Sequence, residues 1–129
     1  MEGLVVLDTC VLFEFMARRD PDTVVKAMLR EGKAAISVLS VYELFSGVEL
    51  PGYIAQREEL INLCRILELS RSIARKASDI FTVLKRKGIS MSNEDLLIGT
   101  TAIYWKYPLL TLNTKDFQKI PGIEFYQNL

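Results

Sequence analysis

The sequence predicts an α/β protein, a three-layer α/β/α sandwich around a central, mainly parallel sheet. The chain opens on Leu4-Val5-Val6-Leu7, consecutive apolar residues without alternation, which is the pattern of a strand buried on both faces. Further strand-like runs alternate with amphipathic helical patterns along the rest of the chain, as a helix-covered parallel sheet requires. At 129 residues, 50% hydrophobic and 25% charged, the chain suits one core, so residues 1–129 are expected to form a single domain.

The first strand ends at Asp8-Thr9, and a helix is expected from Cys10 to about Arg18. Asp20-Pro21-Asp22 opens a second helix, with Pro early in its first turn and Val24, Val25, Met28 and Leu29 as its apolar stripe; Gly32 ends it. Ala34 to Val38 reads as a short strand. Ser40-Val41-Tyr42-Glu43 then looks like a helix start that places Glu43 on the first turn, and Pro51-Gly52 reads as a chain break. Tyr53 to about Cys64 is amphipathic, with Ile54, Leu60, Ile61 and Cys64 inward, and Ile66 to Leu69 reads as a strand or an extended connector. Ser70 caps the longest helix, whose inward set is Ile73, Ala77, Ile80, Phe81 and Leu84 and whose end is Lys85-Arg86-Lys87-Gly88. Ser92-Asn93-Glu94-Asp95 opens a helix through Trp105 that is apolar nearly all round and hence buried on most sides. Pro108 to Leu112 is the last clear strand, Asn113 to Phe117 a short helix or turn, and Ile123 to Tyr126 a candidate edge strand.

Composition narrows the chemistry. Lys plus Arg and Asp plus Glu are both 16, so no net field gathers polyanions and any nucleic-acid contact must use local patches. The absence of histidine removes Ser-His-Asp and Cys-His nucleophile systems, paired-histidine ribonuclease chemistry and most zinc sites. Carboxylates, hydroxyls, lysines or a hard metal remain. Cys10 and Cys64 match no metal spacing or disulfide framework and read as buried, reduced thiols. The start shows no basic leader or cleavage-site pattern, and the apolar stretch Leu96 to Trp105 is too short to span a bilayer. The expectation is a soluble cytoplasmic protein.

Asp8 ends a strand, Glu43 and Asp95 sit at helix starts, and Asp116 follows the last strand by a few residues. In a parallel sheet these positions share the carboxyl edge, where ligands bind. A cluster there suits Mg²⁺ or Mn²⁺, hard cations that take a few carboxylates plus water and phosphate oxygens. The competing reading is structural. Ser40-x-x-Glu43 and Ser92-x-x-Asp95 both fit a capping box, in which the acid satisfies a backbone N–H, and Asp116 fits a turn. Thr9 either donates to a neighbouring carboxylate or caps the first helix; Ser92 and Asn93 are candidates to touch phosphate.

In order and spacing, four blocks resemble the PIN-domain nucleases, and in particular the VapC-type toxin ribonucleases. They are the hydrophobic strand with Asp8-Thr9; Ile36 to Leu44 with Gly47 behind it; Asp95 to Ala102; and Leu110 to Phe117. The resemblance covers essentially the whole chain. It implies metal-dependent cleavage of single-stranded RNA, with Asp8, Glu43, Asp95 and Asp116 at the family's acidic positions and Asp8 and Asp95 most directly tied to Mg²⁺, for which Mn²⁺ is a plausible substitute. It also implies a cognate antitoxin as partner. Where the family usually carries paired alanines this chain has Gly99-Thr100-Thr101, and Asn113 and Asp116 compete for the fourth acidic position.

Phe13, Phe15, Met16, Leu44, Phe45 and Tyr53 exceed what a small monomer needs, which predicts a homodimer, a higher oligomer or an antitoxin surface. Arg18-Arg19, Lys85-Arg86-Lys87, Lys115 and Lys119 are either RNA-backbone contacts or solvated partners of helix dipoles. Two rival functions are a PIN-like module that binds RNA or protein without cleaving, and a receiver-like phosphate-signalling domain. The latter needs a phosphorylatable Asp on a central strand and a Lys ending a late one, a pair that neither Ala34–Val38 nor Leu109–Leu112 supplies.

Overall fold

A computed structural model describes residues 3–18 and 23–127 of the chain. Its sheet has the order β3-β2-β1-β4, all neighbours parallel, from β1 (Val5–Leu7), β2 (Ala34–Ser37), β3 (Arg65–Leu67) and β4 (Leu109–Leu110). Helices α1 (Thr9–Ala17), α2 (Thr23–Arg30), α3 (Val38–Phe45) and α4 (Pro51–Asn62) lie between β1 and β3 in the chain. Helices α5 (Arg71–Arg86), α6 (Asn93–Trp105) and α7 (Thr114–Phe117) complete the described set. The expected opening of α2 at Asp20-Pro21-Asp22 falls outside the described residues.

The unbroken apolar run at the start feeds two cores at once. Because successive strand side chains alternate, Leu4, Val6 and Ala35 pack with Leu84, Leu96, Ile98 and Phe117 from α5, α6 and α7. Val5, Leu7, Ala34 and Ile36 point the other way, to Leu12, Val25, Met28, Leu29 and Leu44. Each buried Val or Leu contributes roughly 1.5–3 kcal/mol, so a three-residue strand covered on both faces is enough to anchor the sheet. Gly99 lets α6 approach α7: a Cβ there would overlap Ile120 Cδ1 and meet the Phe117 ring at 3.4 Å. The neighbouring Thr100 and Thr101 bury their hydroxyls by donating to Leu96 O and Leu97 O, each at 2.7 Å.

Several expectations need correction. Pro51-Gly52 does not break the chain; Pro51 opens α4, where the missing N–H costs nothing. The last strand is confined to Leu109–Leu110, Leu112 is largely exposed, and the tail contributes a single bridge, Leu109 to Phe125. Both cysteines are free but half-buried. Leu44 is core, with Phe15, Met16 and Phe45 packed against it, whereas Phe13 and Tyr53 stay exposed and flank the Arg57 guanidinium at 5.8 Å each. Phe81, expected inward on α5, is exposed while Ile73, Ala77 and Leu84 of the same stripe are buried. Among the described residues no helix is long and apolar enough to cross a membrane.

Candidate active site

The parallel sheet turns the carboxyl ends of β1, β2 and β4 toward one edge, and, apart from Thr100 and Thr101 within α6, the buried polar side chains of the described residues gather there. Asp8, Thr9, Ser37, Ser40 and Thr111 are all buried in that region, and among the described residues no buried side-chain N or O lacks a partner. The register Leu7 with Leu110 sets Asp8 beside Thr111, and the Asp8 N–H donates to Leu110 O at 2.9 Å.

Asp8 is 5% exposed and three donors converge on its carboxylate. The Thr9 N–H donates to Oδ1 at 2.8 Å, which makes Asp8 the N-cap of α1 and rules out the cap role for Thr9. The Thr111 hydroxyl donates to Oδ2 at 2.7 Å, and the Cys10 thiol to the same oxygen at 3.1 Å. Thr111 Oγ1 also accepts the Asn113 N–H at 3.0 Å, so its own hydrogen is free to point at Asp8. Burial is the main cause that pushes the Cys10 thiol up from its ordinary value, with Asp8 adding to it, so Cys10 stays a protonated donor.

The capping-box reading of Glu43 fails. Ser37 is the N-cap of α3, its hydroxyl accepting the Leu39 N–H at 3.1 Å, so the cap lies three residues before the expected one and the first turn of the helix holds no acid. Ser40 is consequently inside the helix and fully buried, and Glu43 lies a turn further on, half-buried. The Thr9 hydroxyl donates to Glu43 Oε1 at 2.7 Å. Since that uses the one hydrogen of Thr9, the 2.8 Å contact between Ser40 Oγ and Thr9 Oγ1 has Ser40 as donor. A relay of Ser40, Thr9 and Glu43 thus stands beside Asp8.

At Asp95 the serine half of the box does form: Ser92 caps α6, its hydroxyl accepting the Asp95 N–H at 3.1 Å. The Asp95 carboxyl is pushed above its ordinary value, first by burial and then by the charge of Asp8, with Glu43 and Asp116 adding smaller repulsions and Ser92 opposing them. Asp95 is therefore within electrostatic reach of Asp8, Glu43 and Asp116. Asn113 and Asp116 do not compete but pair, Asn113 Nδ2 donating to Asp116 Oδ2 at 2.7 Å; Lys119 Nζ stands 3.6 Å from Asp116 Oδ1. Those partners, Asn113 first, hold the Asp116 carboxyl below its ordinary value.

The donor set fits a hard divalent cation. Asp8 Oδ1 accepts one hydrogen bond and keeps a lone pair, whereas Oδ2 already accepts two. Among the described residues no three His, Cys, Asp or Glu side chains form a ready-made cation cage. Of the basic candidates, Arg18 pairs with Glu14 at the surface, Lys119 with Asp116, and Arg19 lies outside the described residues.

Thr111, Ser40 and Cys10 were not singled out as site residues by the sequence. Thr111 alone carried a usable signal, a hydroxyl at the end of a buried strand, the same position that marks Asp8.

Residues 5–123 match the family model described as PIN domain. Ribonuclease VapC1 of Methanocaldococcus jannaschii is 28% identical over 97% of this chain and 88% of its own length. Ribonuclease VapC1 of Rickettsia felis is 34% identical over 72% of this chain and 75% of its own. Among solved structures, VapBC2 from Rickettsia felis bound to a promoter DNA fragment superposes with a TM-score of 0.84 at 24% identity, covering 95% of this chain and 97% of that one. DNA-bound VapBC from Salmonella typhimurium gives 0.83 at 25% identity, covering 95% and 96%.

Proposed function

The chain belongs to the PIN-domain family, among its VapC-type ribonucleases, and on that footing we propose that it is a metal-dependent endoribonuclease toxin whose site is Asp8, Glu43, Asp95 and Asp116. The observation that carries the site is geometric: at one sheet edge Asp8 is held by Thr9, Cys10 and Thr111, and Glu43 is held by the same Thr9, with the raised Asp95 carboxyl in agreement. Concentrated negative charge of this kind disfavours ionisation unless a cation joins it.

Asp8 and Asp95 are the residues that would hold the cation, with Thr111 and Cys10 orienting the Asp8 carboxylate. Mg²⁺, or Mn²⁺ in its place, supplies neutralisation of phosphate charge and a lowered pKa for water. Glu43 takes the proton of the attacking water, its carboxylate aimed by Thr9. Asp116 is the poorer base, because Asn113 and Lys119 hold its pKa down. The water oxygen bonds to phosphorus in line as the bond to the 3′ oxygen breaks, and that oxygen takes a proton from solvent, leaving 5′-phosphate and 3′-hydroxyl ends. A 2′,3′-cyclic route needs a paired acid and base near neutral pH, which a chain without histidine does not supply.

The test is cleavage of single-stranded RNA by the purified, partner-free protein with Mg²⁺ and with EDTA, and mapping of the new ends. Undiminished cleavage in EDTA overturns the metal assignment; RNA binding without cleavage in Mg²⁺ or Mn²⁺ favours the silent-module reading. By the same kinship, the partner is an antitoxin and the setting the cytoplasm. VapBC pairs are the assemblies in the similar structures, and a neighbouring gene for a small DNA-binding protein is the cheapest check.

A further inference from the structure

Phe81 is the point on α5 where helical periodicity and tertiary structure part. It continues the stripe of Ile73, Ala77 and Leu84, all buried, yet it is 46% exposed. It lines two cavities, of about 300 and 370 Å³, and both are also lined by Leu96, the residue that follows Asp95 on α6. The smaller cavity runs from Phe81 and Leu84 to Ser90 and Met91 and has Lys85 at its wall. The Ser90 carbonyl accepts a hydrogen bond from Lys119 Nζ at 3.5 Å, and Lys119 in turn pairs with Asp116. Two links tie the wall of this cavity to the acidic residues: Leu96 follows Asp95 on α6, and Lys119 joins the Ser90 carbonyl to Asp116.

We propose that Phe81 is a stacking platform for a nucleobase of the RNA substrate, seated in this cavity beside the phosphodiester that is cleaved. The inference rests on the ribonuclease reading and names where the substrate lies. An acidic site in a chain of zero net charge repels the RNA backbone, so substrate must be held by something other than a general field. An exposed aromatic face with an ammonium one turn away answers that need: the base stacks on Phe81 while Lys85 meets a neighbouring phosphate. The apolar side chains of Leu84 and Met91 wall the base, and the Ser90 segment offers polar atoms to its edge. Because every base has a π face, the ring itself confers affinity without strong sequence preference.

The experiment compares wild type with Phe81→Ala, Phe81→Leu and Phe81→Trp on a short single-stranded RNA whose cut has been mapped, and on copies carrying one abasic nucleotide at each position around the cut. Phe81→Ala and Phe81→Leu are expected to raise KM about tenfold with kcat unchanged, a factor worth ~1.4 kcal/mol, within the range of base stacking. Phe81→Trp is expected to keep wild-type KM. One abasic position should impose a similar penalty on wild type and no further penalty on Phe81→Ala, since the ring and the base are then two halves of one contact. Independent, multiplying penalties overturn the proposal. So does an unchanged KM with a shift in sedimentation, which assigns the face to a second copy or a protein partner. A wild-type protein that cuts no RNA overturns the ribonuclease reading itself, and is distinguished from these outcomes before any variant is made.

Discussion

Thr111 donates its hydroxyl hydrogen to Asp8 Oδ2 across 2.7 Å, joining two residues 103 positions apart in the chain. The direction is fixed because a carboxylate oxygen can only accept, while Thr111 Oγ1 itself receives the Asn113 N–H. Thr111→Val keeps the shape and removes the donor, and it also strands that N–H. A loss of about 1–3 kcal/mol is expected in urea unfolding. Cleavage should slow by roughly 10- to 100-fold, as for other residues that orient a metal ligand. Thr111→Ser should restore both, and a wild-type rate for Thr111→Val would remove the positioning role.

Asp95 gives a pH-dependent prediction. Its carboxyl is held above the ordinary 3.8, so the fold favours the protonated acid. That contribution is full below 3.8 and lost as pH rises through the raised folded value. At neutral pH the charged Asp95 is then a burden in the metal-free protein. Asp95→Asn should melt as high as wild type or higher there, by up to ~1 kcal/mol for a half-exposed group, and lose the advantage on acidification. Mg²⁺ should raise the wild-type Tm by mass action and raise that of Asp95→Asn much less, while cleavage collapses.

Glu43→Gln tests catalysis against capping at a position the fold has already taken off the helix start. The Gln amide oxygen still accepts from Thr9, so stability should move by no more than about 0.5 kcal/mol. Cleavage should fall by two orders of magnitude or more, the usual worth of a general base. Near-wild-type rates for both Glu43→Gln and Asp95→Asn would remove the active-site assignment.

Asp116 is half-exposed and already satisfied by Asn113 and Lys119. Asp116→Asn is therefore expected to slow cleavage less than Asp8→Asn or Asp95→Asn does. Initial rates across a Mg²⁺ titration would show it, and an equal or larger loss would move Asp116 into the innermost set.

Phe13 and Tyr53, exposed on either side of Arg57, motivate self-association. Sedimentation at about tens of micromolar, a usual range for weak association, should show more than monomer. Monomer alone at that concentration would count against a dimer.

The sequence by itself determined the layers. Hydrophobic periodicity is local, so the buried first strand, the Ser70-capped helix and the apolar helix after Asp95 could be read directly, and the blocks around the acids carried the family. Tertiary structure decided what those patterns leave open. Local rules pointed to Ser40 as the cap after β2, yet Ser37 caps α3, at the residue where the pairing of β2 with β3 ends. That choice turned Ser40 from a cap into the donor behind Thr9 and Glu43. The partnership of Thr111 with Asp8 follows from strand register, Leu7 against Leu110, and no period within either strand encodes it. Phe81 satisfies its helix's apolar stripe, but whether a stripe residue is covered depends on where the neighbouring helix begins, and α6 begins beside it without closing over it.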